Sequence, residues 1–425
     1  MRCLLYTLLL VTGPLGAQYY YPPVSSGQWD TVSPASLGWC VSELDTLSEF
    51  LEDTHAKGFI ILHQGKIAHE EYFGAFTQDS IWYWASAGKS LTAFLVGMAQ
   101  EQGLLDINDK TSDYLGVGWT SAPPAKEDLI TLKEQLRMTT GLDYTVPDLD
   151  CMEDTCLLYK NDAGTYWYYH NAPYRLLQDV VANASGKTYN QYTFQQLSQS
   201  TGISGLWVNY VFFSTARSMA RFGLLALSKG YWGNTPILSD SAYFYDMVHP
   251  SQVHNEAYGY LWWLNGQSTF RQPGIDFPFN GSIIPSAPAD LYMAAGKNDQ
   301  RIYVVPGQDL VVVRIGQAAS QSLPALSGFD DELWKLLNAV LCENVGLESY
   351  TRRDISVFPN PAYGYITLEP WEKDFGAEVW ALGGQRLKKL TFEGRKASVK
   401  NLKSGLYLLK VQTSKGKQVL RLRID

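Results

Sequence analysis

Histidine and cysteine are scarce in this chain, with six and five in 425 residues. The histidines (His55, His63, His69, His170, His249, His254) form no close pair with cysteine or with one another at ligand spacing, which argues against a metal centre. No Gly-x-Ser-x-Gly elbow is present, so an α/β-hydrolase arrangement is disfavoured. Basic charge is also short: 34 Lys+Arg against 42 Asp+Glu leave a net charge of -8, which speaks against nucleic-acid binding. Beyond the first dozen residues, no stretch is apolar enough for a membrane helix.

That first stretch, Met1-Arg2 followed by apolar residues to Thr12 and then Leu15-Gly16-Ala17, has one positive charge, a short apolar run and a small-residue cleavage site. It predicts a secretory signal peptide over residues 1–17. Cys3 would leave with it, and export would place Cys40, Cys151, Cys156 and Cys342 in an oxidising compartment. Cys151 and Cys156, five positions apart, are the expected disulfide. The pairing of Cys40 and Cys342 stays open.

What the chain has in quantity is aromatic: 27 Tyr, 17 Phe and 13 Trp. Such side chains suit both large cores and extended clefts. Charge changes sign along the chain. From Asp354 onward there are 13 Lys+Arg against 7 Asp+Glu, giving +6, while the preceding part carries 21 against 35, giving -14. Two modules are expected, residues 18–352 and 353–425.

In the first module, Ser42–Thr54 has helical spacing, and Gly58–His63 with Lys66–Phe73 reads as a hairpin about Gln64-Gly65. Ile130–Gly141 reads as a helix closed by glycine, and Ala172–Ala182, Thr215–Ser228 and Phe329–Cys342 read as further helices. Met293–Pro306 is expected to be an edge strand, and Val304–Gly316 alternates like core strands. Strands at both ends with helices between them predict an α+β fold: an antiparallel sheet flanked by helices, with an inserted helical region. In the second module, short alternating runs separated by Gly, Pro and Asn predict a small all-β sandwich.

Chemistry concentrates at Ser86-Ala87-Gly88-Lys89. The apolar residues that follow recur at helical spacing, so Ser86 sits at a helix start and Lys89 one turn on, on the same face. An amine beside a hydroxyl at the positive end of a helix can activate it without histidine. The motif alone is weak, since Ser414–Lys417 repeats it in a strand-like segment. It needs a base and oxyanion donors elsewhere. Tyr159-x-Asn161 and Tyr169-x-Asn171 are candidates for the base, a phenol whose pKa a nearby ammonium would lower. The second is preferred because it leads straight into a helix. His170, between Tyr169 and Asn171, reads as structural or rim and not as a base. Gly296 would let a strand approach the substrate closely, with the Lys297 and Ser86 backbone N–H groups as oxyanion donors.

Ser86-x-x-Lys89, Tyr169-x-Asn171 and Ala294-Ala-Gly296-x-x-Asp299-Gln300, with Met138-Thr-Thr-Gly-Leu142 and Ser214-Thr-Ala-Arg217 between, resemble the serine β-lactamase-like hydrolases. The similarity spans about residues 35–345. It is greatest to the branch holding class C β-lactamases, DD-peptidases, family VIII esterases and 6-aminohexanoate-dimer hydrolases. The resemblance implies a β-lactamase/transpeptidase-like fold and an acyl-enzyme on Ser86 without a cofactor. Lys89 and Tyr169 would share proton transfer, and Asn171 would position Lys89 and substrate. One departure matters: Ala294-Ala295-Gly296 stands where β-lactamases have Lys-Thr-Gly, so the cation that grips a substrate carboxylate is missing. Lys297 or Arg301 are its possible stand-ins, and Asp299, in place of a glycine, is expected to add negative charge near the cleft.

The tail has its own likeness. Phe358-Pro-Asn-Pro, Gly383-Gly384, Leu402–Val411 and the strand from Val419 to Asp425 resemble the type A sorting domain of the type IX secretion system. That implies a partner in the secretion machinery of a Bacteroidetes-type bacterium, and a mature protein secreted or attached to the outer-membrane surface. The alternative for the tail is a carbohydrate-binding sandwich using Trp371 and Trp380. Taken together, the expectation is a secreted serine hydrolase acting on a small ester or amide. The alternatives are a β-lactamase or DD-peptidase, or a non-catalytic receptor for cell-wall or glycan ligands on the same fold.

Overall fold

A computed structural model describes residues 19–275, 277–319, 326, 328–342, 356–369, 376–381, 385–413 and 416–424. The signal peptide expected over residues 1–17, Trp371, Gly383 and Gly384 lie outside the described residues.

A six-stranded antiparallel sheet organises the first module. Its strands are β1 (Ala56–His63), β2 (Lys66–Tyr72), β3 (Trp263–Leu264), β4 (Tyr292–Gly296), β5 (Gln300–Val305) and β6 (Leu310–Gly316), in the spatial order β2-β1-β6-β5-β4-β3. β1 and β6 are apolar at almost every position because helices cover both faces. On one face α4 (Ala216–Leu227) presses so closely that a Cβ at Gly223 would meet Val311 at 2.4 Å and Ile302 at 2.9 Å. On the other lie α1 (Glu43–Asp53) and α5 (Phe329–Val340), where Trp334 meets Tyr303 edge to face. A disulfide between Cys40 and Cys342 ties the approach to α1 to the end of α5, settling the pairing left open above.

Between β2 and β3 the chain builds the inserted helical region around α2 (Gly88–Glu101) and α3 (Asn171–Ser185). α2 buries twelve consecutive residues, Gly88–Ala99, because sheet and helices surround it on all sides. No helix among the described residues is long and apolar enough to cross a membrane.

Two expectations are corrected. The helix expected over Ile130–Gly141 covers only Leu132–Leu136. Met138 turns left-handed (φ 60°), and Gly141 (φ 73°) lies so close to the Asn161 carbonyl that a Cβ would stand 2.2 Å from it, so the chain folds back instead of continuing helical. The single edge strand expected over Met293–Pro306 is two strands, β4 and β5, folded on each other at Lys297–Asp299. Asn298 (φ 61°) and Asp299 (φ 58°) are left-handed there, a conformation these two residue types tolerate.

The tail forms two four-stranded sheets, one of Ser356–Phe358, Tyr365–Glu369, Lys396–Ser398 and Phe392–Glu393, the other of Arg386–Leu390, Gly376–Ala381, Gly405–Thr413 and Gly416–Ile424. Alternate residues (Ile366, Leu368, Ala377, Val379, Leu409, Val411) meet in one core, as the sandwich reading requires. The strand Arg386–Leu390 went unread because Lys388-Lys389 breaks its alternation.

Candidate active site

Ser86 lies in a single tight turn, Ala85–Ala87, between the short strand Trp82–Tyr83 and α2. Its approach is pinned from below. Trp84 is buried against Phe212 and Phe222, its backbone N–H donates to Phe212 and its indole N–H donates to Ser214 Oγ at 2.6 Å. Ala85 is left-handed (φ 49°), a strained conformation of the kind that persists where the surroundings impose it.

Lys89, in the first turn of α2, points back as the three-residue spacing predicts. Its Nζ donates to Ser86 Oγ at 2.9 Å. The side chain is 3% exposed, with Nζ 4.2 Å from the Tyr174 ring centroid and 4.9 Å from that of Tyr169. Burial pushes its pKa down to about 7; Asp150 opposes this and Arg175 adds to it. A large share of the amine is therefore neutral at physiological pH and can accept the Ser86 proton.

Tyr169 reaches the same spot from an extended segment ending at α3. Alternation along Tyr166–His170 turns Trp167 and Tyr169 inward, and the Tyr168 N–H is held by the Met138 carbonyl at 3.0 Å. The Tyr169 ring stacks on Trp263 (5.7 Å, 18°) and meets Tyr258 edge-on. The cluster Tyr258–Leu264 is thus core, and its aromatics fix this phenol. Burial raises the Tyr169 pKa more than the nearby Ser86 hydroxyl lowers it. The hydroxyl makes no well-formed hydrogen bond. The expectation of a phenol with lowered pKa is therefore reversed: the phenol stays protonated and the amine is the group that gives up its proton near neutrality. Asn171 opens α3 with its Oδ1 buried and unpartnered, so it makes no hydrogen bond with Lys89. His170 is buried with its pKa lowered to about 4 by burial, hence neutral.

β4 delivers Gly296 onto the Ser86 turn. A Cβ there would stand 2.3 Å from the Trp84 carbonyl, 3.0 Å from the Ala87 nitrogen and 3.1 Å from the Ser86 nitrogen. Only glycine permits this approach. Gly296→Ala should displace β4 from Ser86 and lower any turnover at this site by about 100-fold or more, since displacements near 1 Å cost that much. Comparing kcat of variant and wild type, with circular dichroism to confirm folding, checks this, and an unchanged kcat would refute the close-approach argument.

Lys297 follows with its side chain exposed. Arg301 does not reach the cleft: it is 0% exposed and paired with Asp330 and Asp299. Asp299 is likewise buried and ion-paired, so it adds no open negative charge. Among the expected stand-ins for the missing cation, only Lys297 remains accessible. The rival triplet is elsewhere engaged, with Tyr159 bonded to Asp162 and Lys160 to Asp143.

Sequence reasoning missed three neighbours. Tyr174 and Arg175 lie three and four residues after Asn171, on its face of α3, a spacing that could have flagged them. Asp150 had no such signal. It pairs with Arg175 at 3.2 Å and sits beside the Cys151–Cys156 disulfide, which forms as expected. A separate cavity of about 590 Å³ lies by the far end of β4, lined by Leu227, Phe244, Leu264 and Tyr292 and not by Ser86, Lys89, Tyr169, Asn171, Gly296 or Lys297.

Comparison with known proteins agrees with this fold. The sequence profile of β-lactamase matches residues 45–318, and that of the secretion system C-terminal sorting domain matches residues 356–425. An uncharacterized protein of Alkalihalophilus pseudofirmus is 21% identical over 330 residues, covering 68% of this chain and 89% of its own. Among solved structures, a proposed 6-aminohexanoate-dimer hydrolase from Bacillus anthracis is similar with a TM-score of 0.57 and 17% identity, covering 76% of this chain and 89% of that one. A proposed β-lactamase from Bacteroides dorei (TM-score 0.56, 16% identity, 72% and 100% coverage) is also similar. So is a penicillin-binding protein homolog from Caulobacter crescentus (0.54, 12%, 71% and 99%). The tail is a type IX secretion sorting domain, which indicates secretion or attachment at the cell surface. The chain belongs to the β-lactamase family of serine hydrolases.

Proposed function

We propose that this protein is an exported acyl-serine hydrolase cleaving a small ester or amide, with Ser86 as nucleophile. The observation that carries the reading is the buried Lys89 amine, 2.9 Å from Ser86 Oγ, with a pKa of about 7 and the Tyr169 ring beside it. Neutral Lys89 takes the Ser86 proton as Oγ attacks the substrate carbonyl. The oxyanion is received by the backbone N–H groups of Ser86 and Lys297. Protonated Tyr169 gives its proton to the leaving group and recovers one from the Lys89 ammonium. Water then enters, gives up a proton along the same path and releases the acid. Asn171 Oδ1, buried and unpartnered, would take an N–H from a substrate that enters the site.

With Ala294 in place of a cationic side chain and Arg301 sequestered, Lys297 is the one of the two expected stand-ins that stays accessible to a carboxylate. This favours esters and amides over β-lactams. Purified protein should turn over p-nitrophenyl esters or short amide oligomers at least about tenfold faster in kcat/KM than nitrocefin, a margin of about 1.4 kcal/mol. Faster nitrocefin hydrolysis would reverse the assignment to β-lactamase. Turnover of nothing, with a melting shift on muropeptides or glycans, would favour the receptor alternative. Tyr169→Phe should lower kcat by about 10²- to 10⁴-fold, the usual range for a lost proton-transfer group, and full activity would remove the phenol from the mechanism.

We assign residues 1–17 to a signal peptide, 18–352 to the hydrolase and 353–425 to the sorting domain. The charge reversal near Asp354 and the two separate hydrophobic cores support that division.

A further inference from the structure

The turn joining β4 to β5 is held from beneath by three buried side chains. Arg301 Nη1 donates to the Gly296 carbonyl at 2.8 Å and to the Gln300 carbonyl at 3.1 Å. Arg314 Nη1 donates to the carbonyls of Asn298 and Asp299, both at 3.1 Å, and Gln300 Nε2 donates to that of Asn298 at 2.8 Å. Arg301 is itself clamped. Its Nε and Nη2 engage both oxygens of Asp330 at 2.5 and 2.9 Å, Nη2 reaches Asp299 at 3.1 Å, and the Tyr303 hydroxyl donates to Asp330. An apolar side chain of similar size would fill the same space without the cost of desolvating a cation. Packing alone therefore does not account for the guanidinium.

The carbonyl that Arg301 grips belongs to the same peptide unit as the Lys297 N–H. In a trans peptide these two groups point in opposite directions within one rigid plane, so fixing the oxygen fixes the hydrogen. A cationic donor on the oxygen also polarises the amide and strengthens its N–H as a donor. We propose that Arg301 is a positioning residue of the oxyanion hole, orienting and polarising the Gly296–Lys297 peptide whose N–H receives the charge developing on the substrate carbonyl. This rests on the acyl-serine reading above. Asp330 sets the angle of the guanidinium, and Gly296 presses the same peptide against Ser86.

The test uses the full chain with a p-nitrophenyl ester and the matching thionoester, whose sulfur is a poor hydrogen-bond acceptor. The ratio of the two rates reports the oxyanion hole and not general stability. Arg301→Lys keeps a positive charge against Asp330 but lacks the planar fork that reaches Gly296. It should lower kcat on the ester by about 10- to 100-fold with KM little changed, and reduce the oxo-over-thiono preference by about tenfold. A folded Arg301→Lys protein with an unchanged preference, whatever its absolute rate, would overturn the proposal. If that variant does not fold, Asp330→Asn retains every atom of Arg301 while loosening its clamp. A reduced preference there supports the proposal and an unchanged one overturns it. An active wild type with no oxo preference would remove this proposal alone; a wild type inert toward both esters would remove the acyl-serine reading and this with it.

Discussion

Ser86→Ala should give a folded protein that a fluorophosphonate no longer labels and whose ester turnover is down by about 10⁴- to 10⁶-fold, the scale on which a lost nucleophile acts. The fold should survive because the Ser86 side chain is half-buried and the turn is held by Trp84, Phe212 and Ser214, not by the serine hydroxyl. What the change removes is the hydroxyl that accepts a hydrogen bond from Lys89 Nζ at 2.9 Å. An amine that loses its partner in a buried site costs about 1–3 kcal/mol unless it stays neutral, so any change in melting temperature should be confined to acidic solution. Intact-mass measurement after labelling places the adduct. A variant that still labels at full stoichiometry, or retains wild-type turnover, would dismiss Ser86 as nucleophile.

The second large effect concerns Lys89 and pH. If the neutral amine is the base, kcat/KM should rise about tenfold per pH unit below 7 and level off above it, with its midpoint at the lysine pKa of about 7. Lys89→Arg carries a charge that cannot be removed at these pH values and should lose about 10³-fold or more across the range. Stability should also rise with pH, but over a higher range. The folded pKa of about 7 lies below the ordinary lysine value of about 10.4, so between those limits the unfolded chain binds more protons. This lysine's penalty on folding is therefore complete below pH 7 and fades as pH rises toward 10. At about 1.4 kcal/mol for each tenfold change in proton affinity, it amounts to a few kcal/mol. Lys89→Met, which keeps the bulk without the charge, should thus be more stable than wild type at pH 6, with the margin shrinking toward pH 9. Urea titrations of both proteins across that range measure it. A pH-independent margin, or a flat kcat/KM profile, would mean that this amine does not titrate near neutrality.

Much of this site was legible before any coordinates. Ser86 and Lys89 lie three residues apart, and a helix turn converts that spacing into a contact whatever packs around it. The hairpin β1–β2 and helices α1, α3, α4 and α5 were readable for the same reason: their apolar residues repeat at the period of the local geometry. Preference for Tyr169 over Tyr159 also rested on local chain, the rigid start of α3. Reading failed where the deciding partner was remote. Ile130–Gly141 looks helical until Asn161 occupies the space that Gly141 turns toward. Asp299 and Arg301 look like charges at a cleft until Asp330, far along the chain, draws the arginine beneath the sheet.

By itself, then, the order of residues determined which groups are candidates for chemistry: a serine hydroxyl, the amine one turn away, the phenol at a helix start and a glycine narrow enough to admit a strand. Only the tertiary structure decided which of them holds the proton. Proton affinity depends on how much water and charge surround a group, and those are set by segments distant in sequence. Tyr174, Tyr169 and Asp150 close around Lys89, so burial lowers the amine and raises the phenol, and the proposed base and acid of the pair follow from packing and not from residue type.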